Sequence, residues 1–363
     1  MDRRHRRILG VISSVLAIAL VMPAATVAHS PTFRVVASGL HSPRGLSFGP
    51  GNILYAAQAG DATHSGSIIK ITNSMSRHPR VRTVLGGIPT LGDEGEFIGI
   101  DGISVRGRGA NLRIYGIMGL SPQATGGNNA FGALIKVTRT GHSKTVANVG
   151  AFMYEWTAAH SSLWEEFPDS NPYGVLATGH HIYVTDAGAN TLNEVHSNGT
   201  IDVLAYFPNT ALRDAIPTCV AKGPDGALYV GTLALVDSVV LGPSAKVYRV
   251  DPAHVNLADP TATPMTEWAT GLWPINGCAF GRDGKFYASQ MFTNPSKDEG
   301  AIFADPHGDV VKIPFHSPST HTFLAGGSLG LTGGVAVAPN GVVFVADGTA
   351  AAPSGRILRL ARH

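Results

Sequence analysis

The stretch from Ser170 to Val195, SNPYGVLATGHHIYVTDAGANTLNEV, carries the pattern on which the fold prediction depends. It predicts three short β-strands: an apolar run after Asn171-Pro172-Tyr173-Gly174, the segment IYVTDA after Gly-His-His, and LNEV after Gly-Ala-Asn. Short runs of β-prone residues divided by Gly, Asn and Pro are typical of antiparallel strands in a meander. The rest of the chain repeats this pattern.

Six copies of the pattern follow one another along the sequence. Their first strands are predicted in SPRGLSF (42–48), GIDGISV (99–105), NPYGVLA (171–177), IPTCVAK (216–222), INGCAF (275–280) and LTGGVAV (331–337). A second and a third strand follow in every copy, and a fourth follows in the first five. A repeat of this kind predicts an array of four-stranded units.

The sixth copy lacks its fourth strand, and TFRVVASGL at 32–40 has the missing pattern. We therefore predict an all-β fold, a six-bladed β-propeller in which the N-terminal strand closes the last blade. Closure pairs the sheet edges that a radial array otherwise exposes. An open β-solenoid or two sandwiches are alternatives that do not account for the displaced strand. The predicted domain is a single propeller over residues 29–363, preceded by a signal peptide at 1–28.

The signal peptide is predicted from four Arg before residue 8, an apolar run to Met22, and the small residues ATVA before a cleavage point after Ala28. The apolar run is about 15 residues, short for a membrane span of about 20, although an uncleaved anchor is the alternative. We expect a secreted or extracytoplasmic protein that has no membrane contact after cleavage.

The charge of the mature chain argues against polyanionic partners. Removal of residues 1–28 takes four Arg and one Asp from 27 basic and 25 acidic residues, which leaves 23 and 24. A nearly neutral chain predicts no binding to nucleic acid. We expect a monomer whose partner is an unidentified small molecule or protein.

The two cysteines, Cys219 and Cys278, are too few for a four-ligand metal cluster. They occupy adjacent register positions, equivalent to Gly45 and Leu46, on the first strands of neighbouring copies. Because successive residues of a strand face opposite sides, the two side chains either face each other or both face away. A disulfide and two free thiols both remain open.

In a propeller, the starts of the first strands and the ends of the second strands lie at one face of the ring. Such a polar ring at a channel mouth is a reasonable small-molecule or cation site. Asn and Asp at these positions can alternatively do no more than shape the turns. The predicted ligand-binding residues are Arg44, Gln58, Asp101, Asn171, Tyr173, Asp186, Asn190, Asn276, Gln290 and Asp347.

The longest insertion, AFMYEWTAAHSSLWEEFPD at 151–169, connects a fourth strand to the next first strand. We expect it to contain a helix that ends near Pro168 and to cover the channel mouth as a lid.

A divalent cation such as Ca²⁺ is a further possibility, because Asp101, Asn171, Asp186 and Asn276 carry the oxygen ligands that it prefers. Glu94 or Glu96 would be additional ligands. The 15 His residues show no paired spacing and are interpreted as ordinary surface or core residues. Sequence motifs that would identify a catalytic nucleophile are not found.

Three segments resemble the ScyD/ScyE family of bacterial exported proteins: VVASGLHSPRGLSFGPGNILYAAQAG, DSNPYGVLATGHHIYVTDAGANTLNEV and PTCVAKGPDGALYVGTL. The resemblance covers most of the mature chain and implies a signal peptide and a six-bladed propeller related to NHL and gluconolactonase-like propellers. It implies no settled activity. Gluconolactonase-like propellers hold a channel cation through Glu, Asn and Asp; Asn171 and Asp186 would match two ligands, whereas Arg44 replaces the Glu.

Three functions are therefore compared below. The first is a non-enzymatic propeller that binds a small molecule, glycan or protein at its channel mouth. The second is a metal-dependent hydrolase such as a lactonase, and the third is a scaffold whose outer surfaces recruit other proteins.

Overall fold

A computed structural model describes residues 33–93, 96–349 and 355–361, and the predicted signal peptide lies outside the described residues. The strands form six four-stranded antiparallel sheets, the blades of a β-propeller, and a separate hairpin. The predicted fold class is confirmed. None of the helices in the described part of the chain is long and apolar enough to cross a membrane.

In chain order, the strands begin with β1 (Phe33–Leu40), which belongs to blade 6. Blade 1 contains β2 (Pro43–Phe48), β3 (Leu54–Gln58), β4 (Gly66–Thr72) and β5 (Arg80–Ile88). The hairpin of β6 (Leu91–Asp93) and β7 (Glu96–Ile98) follows. Blade 2 contains β8 (Ile100–Arg106), β9 (Arg113–Met118), β10 (Ala133–Thr138) and β11 (Ser143–Asn148). Blade 3 contains β12 (Pro172–Thr178), β13 (His181–Asp186), β14 (Thr191–Val195) and β15 (Ile201–Tyr206).

Blade 4 contains β16 (Pro217–Lys222), β17 (Leu228–Thr232), β18 (Ala245–Val250) and β19 (Met265–Leu272). Blade 5 contains β20 (Ile275–Phe280), β21 (Phe286–Gln290), β22 (Asp309–Ile313) and the short β23 (Thr322–Phe323). Blade 6 contains β24 (Thr332–Val337), β25 (Val343–Asp347) and β26 (Gly355–Leu360). The α-helices are α1 (Val149–Ala159), α2 (Leu235–Leu241) and α3 (Glu299–Ala304).

The N-terminal strand closes the last blade, as predicted. β1 pairs antiparallel with β26, from Phe33 opposite Leu360 to Leu40 opposite Gly355. Sheet order in this blade is β1-β26-β25-β24, so the first strand of the chain is the outermost strand of blade 6.

The hydrophobic core is divided into six clusters, one between each pair of neighbouring blades. Between blades 6 and 1, for example, Leu54 and Ile71 pack with Phe344 and Ile357, all fully buried. Each blade is therefore apolar on both faces, and the ring is held together by sheet-on-sheet packing.

The inner strands β2, β8, β12, β20 and β24 approach their neighbours closely through a set of glycines that we call the glycine ring: Gly45, Gly102, Gly174, Gly277 and Gly334. A Cβ atom added to Gly102 would lie 2.3 Å from the carbonyl oxygen of Tyr173, on the next inner strand. One added to Gly334 would lie 2.7 Å from the backbone nitrogen of Leu46. A side chain cannot be placed at such distances without moving the backbone, so glycine is required at these positions.

The sixth position of the ring is occupied by Cys219, whose side chain also points toward the next blade. There it forms a disulfide with Cys278 of β20, with a Cα–Cα distance of 5.7 Å. The strand register allowed the two cysteine side chains either to face each other or to face away, and in the structure they face each other.

The glycine ring predicts that Gly102→Ala destabilises the protein, because the new methyl group would collide with the backbone of β12. Forcing a methyl group into a filled space typically lowers the free energy of unfolding by about 1–3 kcal/mol. Gly86→Ala is the matched control, since its Cβ would come no closer than 3.7 Å to another residue. Chemical denaturation of both variants measures the difference. Equal stability of Gly102→Ala and Gly86→Ala would contradict the requirement for glycine at position 102.

Removal of the disulfide by Cys219→Ala with Cys278→Ala is expected to lower the free energy of unfolding by about 4 kcal/mol, on the chain-entropy model for a loop closed across 59 residues. A reducing agent should lower the melting temperature of the unsubstituted protein and leave that of the double variant unchanged. A melting temperature of the unsubstituted protein that does not respond to reduction would contradict the prediction.

Candidate functional site

The channel along the propeller axis widens into a cavity at the face where the inner strands begin. This cavity, which we call the mouth cavity, has a volume of about 510 Å³. Below it the channel narrows to a space of about 60 Å³. Four residues line both spaces and form the floor of the mouth cavity: Arg44, Tyr173, Thr218 and Asn276.

The narrow channel ends in an apolar neck. Each inner strand contributes one residue to its lining: Leu46, Ile103, Val175, Val220, Cys278 and Val335. A wider space of about 310 Å³ lies on the far side of this neck. A ligand larger than a few atoms is therefore restricted to one of the two ends.

Arg44 is the buried cation at the floor of the mouth cavity. Its side chain donates a hydrogen bond of 2.8 Å from Nη2 to the carbonyl oxygen of Phe97, on the hairpin. Nη1 donates a longer one of 3.4 Å to the hydroxyl of Tyr173. Its Nε lies 3.7 Å from Oδ1 of Asp101. The hairpin and two inner strands thus hold the guanidinium in place.

Asp101 lies beside Arg44 in the narrow channel and is only 2% exposed. Neither carboxylate oxygen makes a well-aligned hydrogen bond with a described residue. Burial raises the pKa of Asp101 to about 7, with Glu96 adding to this effect, whereas Arg44 and the backbone N–H of Gly99 oppose it. A carboxyl group with such a pKa can accept or release a proton near neutral pH.

Three other residues of the site form hydrogen bonds within the protein: the predicted residues Asn171 and Asn276, and Thr218 at the floor of the mouth cavity. Asn171 accepts a 2.9 Å hydrogen bond at Oδ1 from the backbone N–H of Leu120. Asn276 donates from Nδ2 to the carbonyl oxygen of Thr332, at 2.8 Å. The hydroxyl of Thr218 donates to a carbonyl oxygen of the neighbouring inner strand, so it is not a free nucleophile.

The predicted residues at the ends of the second strands do not line the mouth cavity. Asp186 is fully buried, and its carboxylate accepts hydrogen bonds from the Ser170 hydroxyl and from the backbone N–H groups of Asn171 and Ala189, at 2.6, 2.8 and 2.9 Å. Burial raises its pKa to about 6, and these hydrogen bonds oppose the rise. The carboxylate fixes the chain as it enters β12.

The other four residues of this set also contact segments that enter an inner strand, three as hydrogen-bond acceptors and Gln290 as a donor. Gln58 accepts from the backbone N–H of His41, and Asn190 from that of Ile216. Gln290 contacts the carbonyl oxygen of Trp273 at 3.5 Å. Asp347 accepts from the backbone N–H of Gly330 and from Arg356. For this set the turn-shaping interpretation is the one that the contacts support.

No residue of the insertion at 151–169 lines the mouth cavity. Its helix α1 begins at Val149 and ends at Ala159, well before Pro168, and packs against blades 2 and 3 through Val149 and Met153. Further along, Glu166 and Asp169 line a cleft of about 380 Å³ that adjoins the mouth cavity. The insertion thus borders the mouth, and its role as a lid stays a prediction.

The walls of the mouth cavity come instead from connections that the sequence patterns did not single out. α2 and α3, between the second and third strands of blades 4 and 5, supply Leu235, Glu299 and Phe303. Other apolar lining residues are Ala187, Ile216, Leu233, Met291 and Leu331. The unusual length of these two connections was the only signal in the sequence.

The four predicted cation ligands do not converge. Asp186 uses its carboxylate oxygens in hydrogen bonds with the segment that enters β12, and the side chain of Asn276 bonds to blade 6. Asp101 and Asn171 do flank a common point, because a Cβ added to Gly119 would lie 2.3 Å from Oδ2 of the first and 3.0 Å from Oδ1 of the second. Arg44, however, already places positive charge beside Asp101. This arrangement does not fit a bound Ca²⁺ ion, which needs six to eight oxygen ligands.

No family model matches the chain, and no curated protein matches it in sequence, so the ScyD/ScyE resemblance stays a prediction. Solved structures similar in fold include several enzymes. A gluconolactonase from Xanthomonas campestris is 11% identical, with 91% of this chain and 89% of that chain covered and a TM-score of 0.55. A putative glucose dehydrogenase from Thermus thermophilus is 16% identical (91% and 100% covered, TM-score 0.54). Virginiamycin B lyase from Staphylococcus aureus is 12% identical (92% and 100%, 0.51).

The raised pKa of Asp101 predicts a pH-dependent loss of stability. The carboxyl group of Asp101 ionises near pH 3.8 in the unfolded chain but only near pH 7 in the folded protein. The free energy of unfolding therefore falls as pH rises between these values. Asp101→Asn removes this titration. The stability of the variant relative to the unsubstituted protein should increase over this range by up to about 4 kcal/mol. Because Asp186 titrates in both proteins, its contribution cancels. Parallel stability curves from pH 4 to pH 8 would contradict the assignment.

Proposed function

We propose that this protein binds a small organic molecule in the mouth cavity, with an apolar body and a hydroxyl or amine group. The observation that carries the proposal is a cavity of about 510 Å³ directly above a buried carboxyl group without a well-aligned hydrogen bond. Small-molecule sites in proteins typically measure about 300–1,000 Å³ and combine apolar walls with a few polar groups. The mouth cavity has this composition.

The chemistry of the ligand follows from where the polar groups lie. Apolar residues from blades 3 to 6 and from α2 and α3 form the walls, while Arg44, Tyr173 and Asn276 are at the floor. A hydroxyl or amine that reaches past the floor would supply Asp101 with its missing donor. Glu96 and Glu299 line the same cavity, and their negative charges disfavour a strongly anionic ligand.

A metal-dependent hydrolase is the second candidate, and a lactone is the substrate that the gluconolactonase neighbour suggests. It is favoured by Asp101 and Asn171, whose oxygens flank one point. It is opposed by Arg44, which would have to move away from Asp101 for a cation to bind. The binding function does not require Arg44 to leave Asp101 and is the one we favour.

Extracytoplasmic location is part of the proposal. The Cys219–Cys278 disulfide is consistent with it, since such bonds persist in oxidising compartments.

Filling the mouth cavity tests the proposal. Leu235→Trp places a bulky ring in the cavity, and Leu241→Trp, at a residue 58% exposed on the same helix, is the matched control. A thermal-shift panel of neutral sugars, sugar lactones, aromatic alcohols and primary amines should contain a compound that raises the melting temperature of the unsubstituted protein. A ligand at 100 times its Kd adds about 2.7 kcal/mol of stability. Leu235→Trp should abolish the shift, and Leu241→Trp should retain it.

Two outcomes would reject small-molecule binding at the mouth. The first is a ligand that stabilises Leu235→Trp as well as it stabilises the control. The second is a protein partner whose binding is unaffected by Leu235→Trp, as the scaffold hypothesis expects.

Calcium titration separates the hydrolase from the binding protein. The proposed binding function expects no heat of Ca²⁺ binding at the mouth. Ca²⁺ binding that disappears in Asp101→Asn, together with Ca²⁺-dependent lactone hydrolysis, would instead establish the second candidate.

A further inference from the structure

Two imidazoles and a carboxylate meet in the connections of blade 1, at the same face of the ring as the mouth cavity but outside its lining. His41 belongs to the connection from β1 to β2, and Asp61 and His64 belong to the loop from β3 to β4. One ligand atom from each residue lies within 4.8 Å of the other two. We name these three residues the His-Asp-His cluster, and none of them lines the mouth cavity.

The carboxylate faces the Nδ1 edges of both rings. His41 Nδ1 contacts Oδ2 of Asp61, and His64 Nδ1 lies 3.0 Å from Oδ1. The two rings stack with their centroids 3.9 Å apart and their planes at 20°. Two nitrogen donors thus face the two oxygens of one carboxylate.

The cluster is organised by its own backbone. Oδ1 of Asp61 accepts hydrogen bonds from the backbone N–H groups of Thr63 and His64, both 2.8 Å long. The backbone N–H of Asp61 donates to the carbonyl oxygen of His64, at 2.9 Å. His41 is fixed from the other loop by a hydrogen bond from its backbone N–H to Gln58, at 3.0 Å. The loops therefore hold the three ligands together before any ion arrives.

Asp61 is held in position by several donors. Its side chain is only 10% exposed, and its Oδ1 accepts hydrogen bonds from the backbone N–H groups of Thr63 and His64 and from the Thr63 hydroxyl. Its carboxylate would supply negative charge to a bound ion.

We propose that His41, Asp61 and His64 bind a divalent transition-metal ion, with Zn²⁺ as the preferred occupant. Two imidazole nitrogens and one carboxylate oxygen form the borderline ligand set that Zn²⁺ accepts, and three protein ligands leave a fourth position open. A Ca²⁺ ion, which takes six to eight oxygens, does not suit this set.

Access and movement both favour an ion at this position. The side chain of His64 is 56% exposed, so the fourth position faces solvent and the ring can turn. Binding of an ion requires the His64 ring to rotate. In the stacked arrangement the ring-nitrogen lone pairs of His41 and His64 point in nearly the same direction and cannot both point at one ion. Binding also replaces the hydrogen bonds that the two Nδ1 atoms make with Asp61.

Isothermal titration of the metal-free full chain with ZnCl₂ tests the proposal. We expect one ion per chain, with affinity reduced at least tenfold in His64→Ala and in Asp61→Asn. His181→Ala is the matched control, because His181 Nδ1 also bonds a carboxylate, that of Glu194 at 2.6 Å, in a pair without a second histidine. The control should bind Zn²⁺ as the unsubstituted protein does.

Cobalt provides a second readout that does not depend on stability. Co²⁺ in a site of four ligands absorbs visible light strongly, and this band should appear with the unsubstituted protein and with His181→Ala but not with His64→Ala. Equal Zn²⁺ affinity in the unsubstituted protein and His64→Ala, or the same weak Co²⁺ spectrum in both, would overturn the proposal. Either outcome would identify the cluster as hydrogen-bonded histidines. The result is independent of ligand binding at the mouth cavity.

Discussion

The close approach of the inner strands determines the dimensions of the rest of this structure. The glycine ring allows five of the six inner strands to lie against the next one almost without side chains between them. The channel that they enclose is therefore narrow, with a space of about 60 Å³ and an apolar neck beneath it. A ligand of ordinary metabolite size has to remain above this level, where the connections between strands, rather than the strands themselves, supply most of the contacts.

The burial of Arg44 and Asp101 as a pair explains why the carboxyl group below the mouth cavity has a raised pKa. Bringing two charges out of water is costly, and a separation of 3.7 Å with few additional hydrogen bonds recovers only part of that cost. The carboxyl group responds by holding its proton to a higher pH. An arrangement of this kind stabilises the fold poorly, which favours a role in binding or proton transfer.

The repeat in the sequence was sufficient to predict the blades, the displaced strand and the residues at the start of each inner strand. Arg44, Asp101, Tyr173 and Asn276 accordingly meet at the channel, because strand register alone determines their place. Leu235 and Phe303 were not predicted as walls, and Glu96 was predicted only as an additional cation ligand, since all three lie on connections that each occur once and follow no repeat. His41 and His64 come from different loops of blade 1, so no spacing along the chain reveals that they meet.

The pairing of β1 with β26 has a consequence for the order of folding. β1 precedes all other strands in the described part of the chain, yet its partner is the last, so the two must find each other across nearly the whole sequence. Contacts of such long range form slowly, because the entropy of closing the intervening loop has to be overcome first. Until then blade 6 has an unpaired edge, and the first strand of a second molecule could occupy it. Dilution during refolding should therefore favour the closed monomer over strand-exchanged assemblies.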